Sequence, residues 1–99
     1  MKLIWSPLAL KRVSEIAEYI ARSRPQAAED WVVAIFASVR RLNRFPLSGR
    51  SVPESQRTDL REVIHGNYRV IYRVEPDQLV VLTVRHTRQD LRADDPDLQ

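Results

Sequence analysis

The spacing of apolar residues changes character once along this chain, at Pro46. Before it, Ala9, Val13, Ile16 and Ile20 share one helical stripe. Ala28, Trp31, Ile35, Val39 and Leu42 share a second, widened by Val32 and Phe36. Ser6 offers an N-cap and Pro7 a first-turn proline for the first helix. Pro25 disfavours helical geometry at Arg24, so the first helix should stop near Arg22 or Ser23 and the second open at Pro25. Two amphipathic helices with so tight a joint read as an αα-hairpin.

A short strand over Lys2–Trp5 precedes the hairpin, and residues 45–58 read as loop. Three strands should follow, over about 60–64, Tyr68–Val74 and 79–86, with turns at His65-Gly66-Asn67 and at 75–78. The order β-α-α-β-β-β implies an α+β fold with the helical hairpin packed on a small antiparallel sheet. Residues 1–91 make one domain, and the polar, acidic end of the chain (92–99) reads as a frayed tail. A turn at 75–78 sets Val74 opposite Leu79 and Tyr72 opposite Val81. The other face then carries Arg69, Ile71 and Arg73 opposite Val84, Leu82 and Val80. Both faces are apolar and two helices cover only one, so the second is expected to be covered by something else, such as a partner. The first hairpin stays open: a two- or three-residue turn around Gly66 exchanges the faces of Arg61 and Glu62.

Ninety-nine residues, 43% hydrophobic and 29% charged, suit one small globular domain. The absence of cysteine fits a reducing cytoplasm. No apolar run reaches the ~18 residues of a membrane span, and the first five residues are too short for a signal peptide. The net charge is +3, and Lys2 and Lys11 are the only lysines among 16 basic residues. Such arginine content fits a nucleic-acid or acidic protein partner, and equally the codon usage of a GC-rich genome.

No metal-ligand spacing, phosphate loop or serine-nucleophile signature is visible, and no cofactor is expected. A metal-free ribonuclease would need a base, a phosphate-holding cation and an acid. His86 could serve as acid or base and Glu62 as base. Arg69, Arg73, Arg85 and Arg88 could hold phosphates, and Tyr68 or Tyr72 could stack or donate. Each has a plainer reading: His86 as a hydrogen-bonded strand end, the tyrosines as core or rim, Glu62 as a solvated strand charge, Arg50 as a loop pin. Arg85 and Arg88 are open between the two.

Four stretches resemble the RelE/ParE superfamily, the toxins of type II toxin–antitoxin systems. They are "WSPLALKRVSEIAEYI" (residues 5–20), "LNRFPLSGR" (42–50), "GNYRVIYRV" (66–74) and "VRHTRQDL" (84–91). The second is similar to the family's Leu-x3-Pro-x2-Gly-Arg, here with Pro46, Gly49 and Arg50. The third is similar to its Gly-Tyr-Arg-x-x-Tyr strand, here with Tyr68, Arg69 and Tyr72. The last is similar to the His-x-Arg-x-Asp ending of the ParE side, and the resemblance spans residues 2–91. It implies a toxin neutralised by an antitoxin whose C-terminal segment wraps it. The target is DNA gyrase on the ParE side and ribosome-bound mRNA on the RelE side. The strand "DLREVI" lacks the lysines, and the chain end lacks the tyrosine, that help RelE-like chemistry. Arginine cannot replace them in proton transfer, since its pKa stays above ~12. A related branch uses a C-terminal histidine with an acid, which keeps Arg69, His86, Arg88 and Glu62 as a ribonuclease set. On the ParE reading, Arg69, Arg73, Arg85 and Arg88 form a surface for gyrase or antitoxin; a third reading is a non-toxic binding relative.

Overall fold

The computed structural model describes residues 1–99. Its elements are β1 (Lys2–Trp5), α1 (Pro7–Ala21), α2 (Pro25–Leu42), β2 (Arg50–Ser51), β3 (Leu60–His65), β4 (Tyr68–Val74), β5 (Gln78–His86) and a one-turn 3-10 helix (Pro96–Leu98). The strands form one sheet in the order β1-β5-β4-β3-β2. The β3-β4-β5 meander is antiparallel, as the turn residues imply. β1 lies parallel to β5, with Lys2 beside Gln78 and Trp5 beside Val81. The sheet is therefore mixed rather than antiparallel, because the helical hairpin acts as a long crossover between β1 and the meander. β2 falls in the stretch expected to be loop and pairs only Arg50 with Glu62 and Ser51 with Arg61.

Local chemistry sets the helix ends. Ser6 is extended, and its hydroxyl accepts from the Ala9 amide at 3.0 Å while donating to the Leu82 carbonyl at 3.1 Å. One side chain thus starts α1 and ties it to β5. Pro25 opens α2, where Arg24 supplies no side-chain cap. Both helices bury their stripes on one sheet face: Ala9, Val13, Ile35, Val39 and Leu42 meet Val70, Tyr72, Leu79, Val81 and Val84. Trp5 packs on Phe36 at 4.5 Å between ring centroids. Each large aliphatic side chain buried here stabilises the fold by about 1.5–3 kcal/mol.

Two registers decide what the opposite face carries. The first hairpin has a two-residue turn with His65 across from Tyr68, and Gly66 takes a φ of 58°. A positive φ at the first central position alone is what a type II′ hairpin turn asks of glycine. That register puts Leu60, Glu62 and Ile64 on the face away from the helices, with Ile71 opposite Glu62. In the second hairpin a bulge corrects the expected pairing. Ile71 stands opposite Thr83 rather than Leu82, and Arg69 opposite Arg85 rather than Val84. The extra residue brings Thr83 and Arg85 into phase with Ile71 and Arg69.

The second face is indeed apolar, but the chain covers it itself. Val52, Leu60, Ile71, Val80, Leu82, Leu91 and Leu98 form a second buried cluster, with Ile4 against it. The segment expected to fray is therefore docked, with Leu98 fully buried. Its leucines were hidden among five charged residues between 90 and 97, and polarity alone does not reveal which positions return to the sheet.

Candidate functional site

Of the basic residues singled out in the sequence, Arg69, Arg73 and Arg85 stand on the outer sheet face, Arg88 follows β5, and His86 lines a groove on the helix side. On the outer face, Arg69 is 5% exposed. Its Nη1 and Nη2 donate to the two carboxylate oxygens of Glu54 at 2.8 and 2.7 Å, and its Nε donates to Glu62 at 2.8 Å. Glu62 is buried and also accepts from Arg50 at 2.6 Å. It is therefore an anionic bridge between two guanidiniums, not a solvated strand charge. Hydrogen bonds donated to Glu54, then to Glu62, raise the Arg69 pKa despite the opposing effect of burial. The Arg69 guanidinium holds Glu54 below the usual carboxylate range.

The other arginines of this face are matched too. Arg73 donates to Glu75 at 2.8 Å. Arg85 donates to Asp95 at 3.0 Å and to the Asp90 carbonyl at 3.0 Å. Arg88, in the turn after β5, is exposed and its guanidinium makes no ion pair or hydrogen bond. Of the four arginines proposed to meet a target or antitoxin, three are held by acids of the same chain and one is free.

The loop landmark has a structural role. Tyr72 is fully buried, its hydroxyl donating to the Pro46 carbonyl at 2.8 Å and accepting from the Gly49 amide at 3.0 Å. Gly49 is needed for close approach: a Cβ there would lie 2.6 Å from the Glu62 carbonyl oxygen and 2.9 Å from the Tyr72 ring. Burial raises the Tyr72 phenol's pKa, so it stays a donor.

On the helix face, the open end of the sheet and the two helix ends enclose a groove of about 1220 Å³. Trp31, Tyr68 and His86 form a chain of edge contacts with centroids 5.2 Å apart in each pair. Tyr19, His65, Arg22 and Arg24 line the same groove. The Trp31 indole N–H is buried without an acceptor. His86 Nδ1 accepts from the Arg88 amide at 3.0 Å, so the neutral ring carries its proton on Nε2. Burial raises the pKa of Tyr68, with Tyr19 adding to it. The groove brings together His86, Tyr68 and, at its edge, Arg85, but neither Glu62 nor Arg69. The ribonuclease set is thus not assembled at one place. Sequence reasoning missed Glu54, Asp97 and Trp31: the first two sit in segments read as loop and tail, and the third scored only as part of a helical stripe.

A family model for the ParE toxin of type II toxin–antitoxin systems matches residues 3–91. The chain belongs to that ParE toxin family. It is 33% identical over 90 residues to Y4kP of Sinorhizobium fredii, a protein whose name describes it as a toxin, covering 89% of this chain and 90% of that one. In fold it is similar to a chain of a chromosomal ParDE toxin–antitoxin system from P. aeruginosa. That match has a TM-score of 0.75 at 20% identity and covers 87% of this chain and 95% of that one. It is also similar to a chain of the RelBE2 toxin–antitoxin complex from Mycobacterium tuberculosis. There the TM-score is 0.57 at 21% identity, covering 86% and 95%. The α+β fold of two helices on a five-stranded mixed sheet is that of the ParE/RelE-like toxins. No helix of this ParE-family chain is long and apolar enough to cross a membrane.

Proposed function

We propose that this ParE-family toxin arrests growth in the cytoplasm by poisoning DNA gyrase, and that a cognate antitoxin neutralises it. The observation that carries this reading is the fate of the acid–base candidates. Glu62 is closed off between Arg50 and Arg69, on the opposite side of the sheet from the His86 groove. The base candidate is thus kept apart from His86, which favours binding over catalysis at this surface. Arg88, free at the end of β5, is the first candidate to touch the target. Purified protein in a gyrase supercoiling and DNA-cleavage assay tests the reading: inhibition with accumulated cleaved DNA supports it, and no effect at micromolar protein counts against it.

A second reading, ribosome-dependent mRNA cleavage, draws on the groove itself. His86 presents Nε2–H beside Tyr68, and Arg22 and Arg24 stand at the rim. Those groups could supply an acid, a stacking surface and phosphate contacts. Cleavage of mRNA on programmed ribosomes that disappears in His86→Ala would favour it over gyrase.

A further inference from the structure

The helix-side groove is polarised along its length. Its charged lining includes Arg12, Arg22, Arg24 and Arg85 on one side of the balance, and Glu15, Asp95 and Asp97 on the other. The acids neutralise only one end. Arg12 donates to Asp97 at 3.2 Å and to Glu15 at 3.0 Å. Arg85 donates to Asp95 at 3.0 Å and to Asp97 at 3.4 Å. Arg22 and Arg24 are exposed, and neither guanidinium has an ion pair or a hydrogen bond. Arg22 instead lies over the Tyr19 ring, 5.9 Å from its centroid. Ten helical residues past Arg12, Arg22 stands about 15 Å from the acid-matched end.

The free cations coincide with the start of α2. That helix opens without a side-chain cap and without an acid in its first turn, so its dipole adds positive potential beside Arg24. Between the two ends the wall is aromatic, built from Trp31, Tyr68 and His86, and the largely exposed Tyr19 lines the same space. The buried Trp31 indole N–H lacks an acceptor. An orphaned donor in a cavity wall calls for an acceptor from outside the chain. The volume of about 1220 Å³ is ample for a single small ligand, which sites of roughly 300–1,000 Å³ accommodate.

We infer that this groove binds a free nucleoside 5′-monophosphate, with the phosphate on Arg22, Arg24 and the start of α2 and the base against the aromatic wall. Two guanidiniums and a helix start suit a phosphate. Tyr19, Trp31 and Tyr68 suit the flat face of a base, and a ring nitrogen or ribose oxygen would answer the Trp31 N–H. Sugar and base hydroxyl or amino groups would point toward the acids at the far end. A polynucleotide fits less well, because its next phosphate would run against Glu15, Asp95 and Asp97. An apolar ligand would leave the guanidiniums and the indole N–H unmet. The nucleotide is bound and not cleaved, and the inference depends on neither gyrase nor the ribosome as target.

Calorimetric titration of the protein with adenosine 5′-monophosphate tests it. Saturable binding at one site per chain is expected, with adenosine and inorganic phosphate each about tenfold weaker or worse. Arg22→Ala with Arg24→Ala should weaken the nucleotide by about tenfold or more and leave adenosine unchanged. In nitrogen–proton spectra the Trp31 indole N–H should shift on titration, and that of Trp5, packed on Phe36, should not. No saturable binding at millimolar nucleotide overturns the inference. Adenosine bound as tightly as the nucleotide also overturns it, and that comparison uses the unchanged protein, so it stands even if the double variant does not fold. A short single-stranded oligonucleotide without terminal phosphates, bound as tightly as the nucleotide, overturns it too and gives the groove to a strand. None of these readouts involves gyrase or ribosomes, so failure here leaves the proposed target untouched.

Discussion

Arg69 donates from Nε to Glu62 across 2.8 Å, and the two side chains are 6% and 0% exposed. A buried pair of this kind says little about net stability while intact, but removing one member leaves a charge without its partner. Glu62→Gln should therefore destabilise the protein by about 3 kcal/mol, near the lower end of such losses because Glu54 still holds Arg69. Denaturant unfolding measures this. Lost toxicity at unchanged stability would instead make Glu62 a chemical group.

The Tyr72 hydroxyl fixes the loop after α2 onto the sheet. Tyr72→Phe leaves the buried Gly49 amide without an acceptor and should cost about 1–3 kcal/mol. Gly49→Ala forces a methyl against the Glu62 carbonyl and the Tyr72 ring and should cost a similar ~1–3 kcal/mol. Since both act through one contact, the double variant should lose less than the sum, as a double-mutant cycle in urea would show.

Acid should release the tail. Burial pushes the Asp97 carboxyl up, but hydrogen bonds from Arg12 and Thr83 and the charges of Arg12 and Arg85 outweigh it, so the net shift is downward. A carboxyl depressed in the folded state binds its proton more readily when unfolded. Its stabilisation is present above the unfolded value of about 3.9 and is lost as pH falls through the folded value. Glu54, lowered by Arg69, adds to the same trend from about 4.3 downward. Thermal unfolding temperature should fall as pH drops below about 4, and the fall should be shallower in Asp97→Asn. A fall of equal steepness in that variant removes Asp97 from the account.

Arg85 and Arg88 should separate. Arg85→Ala removes a donor to Asp95, Asp97 and the Asp90 carbonyl and should loosen the tail. Arg88→Ala touches no internal partner and should leave stability within about 0.5 kcal/mol while reducing growth arrest. Thermal unfolding alongside controlled expression distinguishes them. Full toxicity in Arg88→Ala would remove that residue from the target surface.

The helices and the meander were legible because their apolar spacing is dense and their boundaries carry Ser6, Pro7, Pro25, Pro46 and Gly66. The parallel placement of β1 was not, since four residues fit either direction equally well. The bulge at Leu82 and Thr83 left no trace in a run where every neighbour is apolar or β-branched. That one-residue shift misaligned Arg69 and Arg85, and so concealed the pairing that brings the tail's acids to the sheet. Two leucines among charges were too sparse a pattern to reveal a docked segment. The family landmarks resolved better than the chemistry: Pro46, Gly49 and Tyr72 meet in one contact, whereas Glu62 and His86 lie on opposite faces.

The most direct measurement is the purified toxin on gyrase and on programmed ribosomes, side by side, with the unchanged protein, Arg88→Ala and His86→Ala. The account predicts cleaved DNA trapped on gyrase by the unchanged protein, less of it with Arg88→Ala, and no mRNA cleavage by any of the three. Message cleavage by the unchanged protein that vanishes with His86→Ala, and no effect on gyrase, would contradict it.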